Sequence, residues 1–290
     1  MKVSGFTIVR NAVKYDYPVV ESITSILPVV DEMIVAVGKS EDETLHLIQG
    51  IASSKIKIIE TVWNDSLRSG GKLLADETDK AKRAVSADAD WCFYIQADEV
   101  LHEEYLEPVR QAMLFYRDDK EVDGLLFNYE HFYGSYDYVA DSYNWYRKEI
   151  RIIRNRPDIF SYKDAQGFRK TGNRKLNVKQ VDATVFHYGW VKDPQAQQRK
   201  QKTFHQMWHP DEWIEKNVAE TESFDYSLID SLKKFEGTHP QVMKDRIKNR
   251  NWAFEFDTSK SNRKFKYRIR KWIEDLTGIN IGEYKNYKRI

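Results

Sequence analysis

The chain has almost no cysteine, with Cys92 alone among 290 residues. No internal disulfide can form, and Cys92, set between Trp91 and Phe93 in an apolar run, is expected to be buried and inert. No apolar run approaches 18 residues, so no membrane span is expected. Met1-Lys2-Val3-Ser4 leads straight into a strand pattern without the segments of a signal peptide, and a cytoplasmic protein is the expectation. Internal repeats and low-complexity segments are missing. The glycine-rich phosphate cradles are missing too. No G-x-G-x-x-G follows the first strand pattern, which argues against a dinucleotide enzyme, and Gly70-Gly71-Lys72-Leu73 does not complete a P-loop. A phosphate site in this chain must therefore neutralise its ligand with a metal or with Lys and Arg.

What is present is ordinary in bulk and uneven in detail. Hydrophobic residues make up 41% and charged residues 31%, the balance of a soluble globular protein. The length allows one large domain or two small ones. Aromatics reach 13%, with 8 Trp and 17 Tyr, which suits either stacking surfaces for sugars and bases or aromatic cores. Net charge is +1 overall, yet residues 241–290 hold 14 Lys/Arg against 6 Asp/Glu. Between Lys260 and Lys271 lie seven basic residues and no acid. Phe265, Ile269, Trp272, Ile273 and Leu276 recur there at helical spacing, so a basic amphipathic helix is expected. The simpler expectation is that its apolar stripe docks on the domain and its basic face is solvated. The alternative is attachment to anionic lipid or a partner.

The first 130 residues alternate strand and helix. Strands are expected at Phe6 to Val9, Met33 to Val37, Ile56 to Ile59 and Trp91 to Ile95. Helices are expected from an Asp16 cap with Pro18 in the first turn to about Leu27, from Thr44 to Ile51, from Lys72 to Val85 and from Glu103 to Arg117. Continuous apolar runs of about five residues separated by helices indicate a parallel sheet buried on both faces. Shorter strands follow, including Leu125 to Tyr129, Ile150 to Arg154 and Thr184 to Tyr188. From Asp193-Pro194 the pattern turns helical, beginning with Gln195 to Met207 and breaking at Gly237 to Pro240.

In an open α/β sheet, ligands sit at the carboxyl ends of strands. Three such ends are polar here: Arg10-Asn11, Gly38 to Thr44, and Gln96-Ala97-Asp98-Glu99. An Asp at a strand end can hold a divalent cation on a diphosphate. Equally, it can end a strand and cap a helix.

Phe6 to Asn11, then Val30 to Thr44, then Tyr94 to Glu99 together resemble a family 2 glycosyltransferase of GT-A fold, over roughly residues 4–190. The resemblance implies a GT-A catalytic domain over 1–192, with a donor half to about 123 and an acceptor half from 124, and a helical extension over 193–290. It implies an α/β fold with a mixed, mainly parallel sheet flanked by helices. It implies a nucleotide-sugar donor, usually UDP-linked, a divalent Mn²⁺ or Mg²⁺, and an inverting transfer in surface polysaccharide, lipopolysaccharide or related glycoconjugate assembly. A saccharide or glycoconjugate is the expected acceptor, and no nucleic acid is expected as a partner. Val9, Arg10 and Asn11 match the loop bordering the donor base and ribose, and Asp42 matches the carboxylate that accepts from the uracil ring, although Asp42 also suits a helix cap. Gln96-Ala97-Asp98 matches the family's Asp-x-Asp signature with Gln in place of the first Asp. Gln96 can still bond a ribose hydroxyl. Asp98 is the natural metal ligand, with Glu99 available to compensate for the missing carboxylate, and His187 occupies the place of a late metal-ligating histidine. The pair His205 and His209 lacks the Glu of a zinc motif, and a surface or packing role is expected for it.

An inverting transfer needs a base for the acceptor hydroxyl. The only carboxylate in Ser161 to Lys170 is Asp164, which makes it the candidate, with Glu130, Asp137 and Asp141 as competitors. Arg169 and Lys170 are candidates to hold the diphosphate. The aromatic stretch from Tyr129 to Tyr146 suits stacking on an acceptor sugar or a β-rich core. Two other functions fit the pattern less fully: a non-catalytic sugar-nucleotide or carbohydrate-binding protein on the same fold, and a sugar nucleotidyltransferase, against which the missing glycine-rich loop counts.

Overall fold

The computed structural model describes residues 1–67, 70–206, 212–213, 216, 221–259, 261–278, 282 and 284–290. Met207, His209 and Lys260, which entered the expectations above, lie outside the described residues.

The apolar runs of the first hundred residues become four parallel strands: β1 (Val3–Val9), β2 (Glu32–Gly38), β3 (Ile56–Thr61) and β4 (Trp91–Tyr94), in the order β3-β2-β1-β4. Every residue of β1 and β2 is buried, as strands covered on both faces require. The period of two sorts their side chains into two layers. Val9, Met33, Val35 and Val37 pack with Val19, Ile23 and Ile26 of helix α1 (Val19–Ile26). Phe6, Ile8, Ile34 and Ala36 face the other way, toward Leu73 and Ala81 of helix α3 (Lys72–Arg83). A short α2 (Thr44–Gln49) joins β2 to β3. Cys92 is fully buried in β4, and burial pushes its thiol up to about 12, out of reach of thiolate chemistry at neutral pH.

The sheet then changes character. Strands β5 (Glu99–Leu101), β6 (Gly124–Tyr133), β7 (Ser135–Ala140) and β8 (Lys148–Arg154) follow, with helix α4 (Leu106–Phe115) between β5 and β6. β8 runs antiparallel to both β4 and β6, and β6 antiparallel to β7. A small three-stranded sheet, β9 (Ile159–Tyr162), β10 (Gly167–Lys170) and β11 (Arg174–Lys175), folds beside it. The long β12 (Asn177–Trp190) runs parallel to β6 and pairs antiparallel with β5, setting His187 opposite Glu99. The result is a mixed α/β fold whose central sheet has a parallel core and is flanked by helices.

The segment after 193 is not only helical. Helices α5 (Pro194–Gln206), α6 (Lys244–Lys248) and α7 (Phe265–Thr277) alternate with short strands β13 (Leu232–Lys234), which extends the sheet at β7, and β14 (Lys288–Arg289), which pairs with β12. Asp16 does not cap α1. It adopts a left-handed φ of 48° and pairs with Arg246 of α6 at 2.6 Å, and Pro18 stands at the cap position.

The expected docking of the terminal helix through its apolar stripe does not occur. In α7, Phe265, Ile269, Trp272 and Leu276 are 76%, 44%, 65% and 66% exposed, and only Ile273 of the stripe is half-buried. The helix is held instead by its opposite, polar face. Tyr267 stacks on Tyr143 with centroids 5.6 Å apart, and Glu274 pairs with Arg147 and accepts from the Tyr143 hydroxyl.

Candidate functional site

The loops that follow β1, β2 and β4 open onto one cleft of 640 Å³, lined among others by Arg10, Glu41, Trp63, Asp98, Asp164 and His187. Its walls are built by hydrogen bonds between loops. Asn11, with a φ of 55°, donates its backbone N–H to Ser40 Oγ at 3.0 Å, and its side-chain oxygen accepts from the Glu41 N–H at 2.8 Å. Ala12 N–H donates to Thr44 Oγ1 at 2.7 Å. Asp42 closes this lacing. One of its oxygens accepts from the Thr44 N–H at 3.0 Å and the other from the Lys14 N–H at 2.7 Å. That is an Asx-turn opening α2, so the side chain expected at the base is engaged in the loop, and Glu41 rather than Asp42 stands on the cleft wall. Arg10 lies 5.5 Å above the Trp63 ring and donates to Asp65 at 2.8 Å. The Trp63 indole N–H is buried without a hydrogen-bond partner. That nitrogen faces Gly38, where a Cβ would sit 2.3 Å from it, so what Trp63 gives the cleft is its ring surface beside the Arg10 cation.

The far wall holds Gln96, Ala97 and Asp98. Gln96 donates its side-chain amide to the Ala165 carbonyl at 3.2 Å, bridging to the turn that carries Asp164. Asp98 is fixed through its main chain, whose carbonyl accepts from Tyr188 N–H at 2.8 Å. Its carboxylate accepts from Lys200 Nζ of α5 at 3.1 Å and lies 3.7 Å from His187 Nε2. Burial would raise this carboxyl's pKa, but the ammonium groups of Lys200 and Lys192 outweigh it and hold it below the usual carboxylate range. Gly189 permits the approach: a Cβ there would sit 2.6 Å from both the Asp98 oxygen and His187 Nε2.

His187 has a defined tautomer. His131 Nε2 lies 2.7 Å from the Tyr146 carbonyl, which can only accept, so Nε2 carries the proton and Nδ1 of His131 is an acceptor. His187 Nδ1, 3.1 Å from His131 Nδ1, must then be the donor. Burial lowers both imidazoles' pKa values, keeping them neutral. His187 Nε2 is left with its lone pair beside Asp98. An outer hydrogen bond that fixes a ligating histidine in this way is a recurring feature of metal sites.

These two donors fit a divalent cation, since Mg²⁺ takes one or two protein ligands and completes its shell with phosphate and water. Among the described residues no group of three or more His, Cys, Asp or Glu converges there. Glu99 does not compensate. It is fully buried behind the cleft, where Arg151 donates to both its oxygens at 2.8 and 2.6 Å and Tyr129 donates at 2.8 Å.

Asp164 lines the same cleft, in the turn between β9 and β10. Its neighbours Lys163 and Ala165 both take left-handed φ values, 56° and 62°. Such residues cost on the order of 1–3 kcal/mol each and gather at functional sites. Burial raises the Asp164 pKa, the direction a general base needs. The competitors lie elsewhere: Glu130 faces Lys233, Asp137 pairs with Arg250 and Asp141 with Arg263. Arg169 and Lys170 also point away from the cleft. Arg169 sits over Tyr162 at 4.6 Å and donates to Tyr284 at 3.0 Å, and Lys170 donates to Asp123 at 2.5 Å. Among the described residues, the cations at the cleft are Arg10, Lys14 and Lys200. His205 also reaches the cleft wall. Of the aromatic stretch, Phe132, Tyr133, Tyr136 and Tyr138 are buried in core clusters, while Tyr146 lines the cleft.

No family model and no curated protein matches the chain. Among solved structures it is similar to S. aureus TarS 1–349, at 15% identity and a TM-score of 0.42, covering 70% of this chain and 64% of that one. The same protein in complex with UDP gives 16% identity and a TM-score of 0.42, again with 70% and 64% covered. This chain thus spans less than two thirds of those TarS chains. A 4-diphosphocytidyl-2C-methyl-D-erythritol synthase from Anaerococcus prevotii gives 12% identity and a TM-score of 0.40, over 71% of this chain and 94% of that one. These are likenesses of outline, and they assign neither a ligand nor a residue.

Proposed function

We propose that the chain is an inverting glycosyltransferase that moves a sugar from a nucleotide donor, UDP-linked, to a saccharide or glycoconjugate acceptor. The observation that carries this reading is the convergence of Arg10, Gln96, Asp98, His187 and Asp164 from four separate segments on one cleft at the ends of the parallel strands. The base and ribose would lie along Arg10 and Trp63, and the diphosphate beside Asp98 and Lys200. Asp98 and His187 would hold a divalent cation, which supplies charge to the departing diphosphate. The acceptor hydroxyl oxygen attacks the anomeric carbon, the bond from that carbon to the phosphate oxygen breaks, and Asp164 takes the hydroxyl proton. Lys200 and Arg10 offset the charge left on the nucleoside diphosphate.

A second reading, a nucleotide-sugar-binding protein without turnover, is favoured by one feature. Gln96 replaces a carboxylate, and its amide is engaged with Ala165. Calorimetry with UDP, in Mn²⁺ and in chelator, followed by a UDP-release assay with UDP-sugars, separates the cases. Saturable binding tightened by Mn²⁺, with UDP release, is the expected result. Absence of binding overturns the donor site, equal affinity in chelator removes the metal, and binding without release selects the second reading.

A further inference from the structure

The exposed stripe of α7 lies about 180° around the helix from Tyr267 and Glu274, which grip the body. A surface helix ordinarily turns its apolar side inward. This one turns it outward, with Phe265 and Trp272 more exposed than not. The stripe is flanked by Lys264, Lys266 and Arg268, all exposed. The helix has two acids: Glu274 is turned to the body against Arg147, and Asp275 is paired with Lys271. The outward face is therefore apolar along its centre and cationic along its edges.

We propose that this face docks on an anionic lipid bilayer. Its charge is complementary to acidic headgroups, and its Phe, Ile, Trp and Leu side chains are the kind that enter the acyl boundary. Thirteen residues of helix span roughly 20 Å, too short to cross a membrane, so α7 lies in the surface plane. No helix among the described residues is long and apolar enough to span. The segment that grips α7 also shapes the cleft. Tyr143, Asn144 and Arg147 hold the helix, while Tyr146 between them lines the cleft and its carbonyl fixes His131. On the transferase reading proposed above, docking of α7 would hold the segment that lines the cleft near a lipid-linked acceptor.

Co-sedimentation of the full chain with vesicles tests this. Phosphatidylglycerol-containing vesicles should bind it at low salt, pure phosphatidylcholine vesicles should not, and high salt should release it. Replacing two cations, Lys266→Ala with Arg268→Ala, should weaken binding roughly thirtyfold. Phe265→Asp with Trp272→Asp should abolish it. Both variants should keep the wild-type circular dichroism and melting temperature, because the altered side chains are exposed. No binding to phosphatidylglycerol vesicles at low salt overturns the proposal, as does binding that folded variants leave unchanged. A vesicle-free dimer that Trp272→Asp dissolves, with no vesicle binding, overturns it in favour of a second copy as the occupant.

Discussion

Asp98 and Glu99 are consecutive carboxylates on opposite sides of one wall, and they are held in opposite ways. On the closed side, Glu99 is sealed at 0% exposure against Arg151, which is also at 0%, in a two-pronged pair. Tyr129 and the Gln96 N–H complete its shell. On the cleft side, Asp98 meets one ammonium, from Lys200, and an imidazole that offers it no hydrogen. A two-pronged guanidinium fixes position, whereas a single flexible ammonium can be exchanged. The closed side sets where the loop 96–99 sits, and the open side is left able to trade its partner for a ligand.

The sharpest way to break this comparison is to remove the closed side's cation. Arg151→Met leaves Glu99 buried and uncompensated, which costs about 3–5 kcal/mol of stability. Urea unfolding should show the full loss. A loss under 1 kcal/mol would mean that the pair does not set the loop.

The open side should respond in the other currency. Asp98→Ala should lower kcat/KM for transfer roughly 10³-fold, about 4 kcal/mol of transition-state stabilisation. Its stability should fall by less than that of Arg151→Met, because Lys200 borders the cleft and keeps the Gly189 carbonyl as an acceptor. A folded Asp98→Ala protein with near-normal turnover would remove Asp98 from the site.

The same contrast explains what could be read in the sequence. β1 and β2 were legible because strands buried on both faces must be continuous apolar runs, and Gln96 to Asp98 stood out as polar residues directly after such a run. Asp164 draws attention because it is the only carboxylate in its segment, and the structure sets it on the cleft wall. Asp42 is ambiguous in the sequence, because one carboxylate two residues before a helix suits both a base contact and a cap, and its geometry closes a turn. Arg169 and Lys170 suit a diphosphate by charge, but strand pattern alone does not say which face of the β9–β10 hairpin meets the cleft, and their partners lie elsewhere. Lys200 was missed for a related reason: Arg199, Lys200 and Lys202 are chemically alike, and only the packing of α5 decides which reaches Asp98. For the α7 stripe the sequence leaves two expectations open, docking on the domain or attachment elsewhere, and the structure turns four of its five residues outward. Amphipathic spacing reports that a helix has two faces, and the contacts of Tyr267 and Glu274 decide which one turns inward.

A third buried carboxylate extends the comparison to a case without a cation of its own. Glu149 on β8 is 3% exposed, and one of its oxygens has no hydrogen-bond partner. Gly167 and Asn286 pack against it, and Arg151 is committed to Glu99. Burial is the main cause that raises its pKa from 4.5 to about 8. Arg151 and the Ile150 N–H oppose the shift, while Glu99 and Asp164 add to it. In the folded protein it is therefore protonated at pH 7, whereas in the unfolded chain it is ionised. Below pH 4.5 both states hold the proton and the contribution of this group to stability is fully present. Between 4.5 and 8 the folded state binds more protons, so stability falls as pH rises, and the contribution is lost on passing the folded pKa. The slope is at most about 1.4 kcal/mol per pH unit, and relaxation of the site should bring the whole effect nearer 1–2 kcal/mol. Glu149→Gln keeps the shape and removes the titration. Its melting temperature, measured from pH 5 to pH 8, should hold where the wild type declines, so that the variant is the more stable protein at pH 8. Parallel pH profiles for the two proteins would show that Glu149 finds a partner in solution and does not belong beside Asp98 and Glu99 as the uncompensated member of the set.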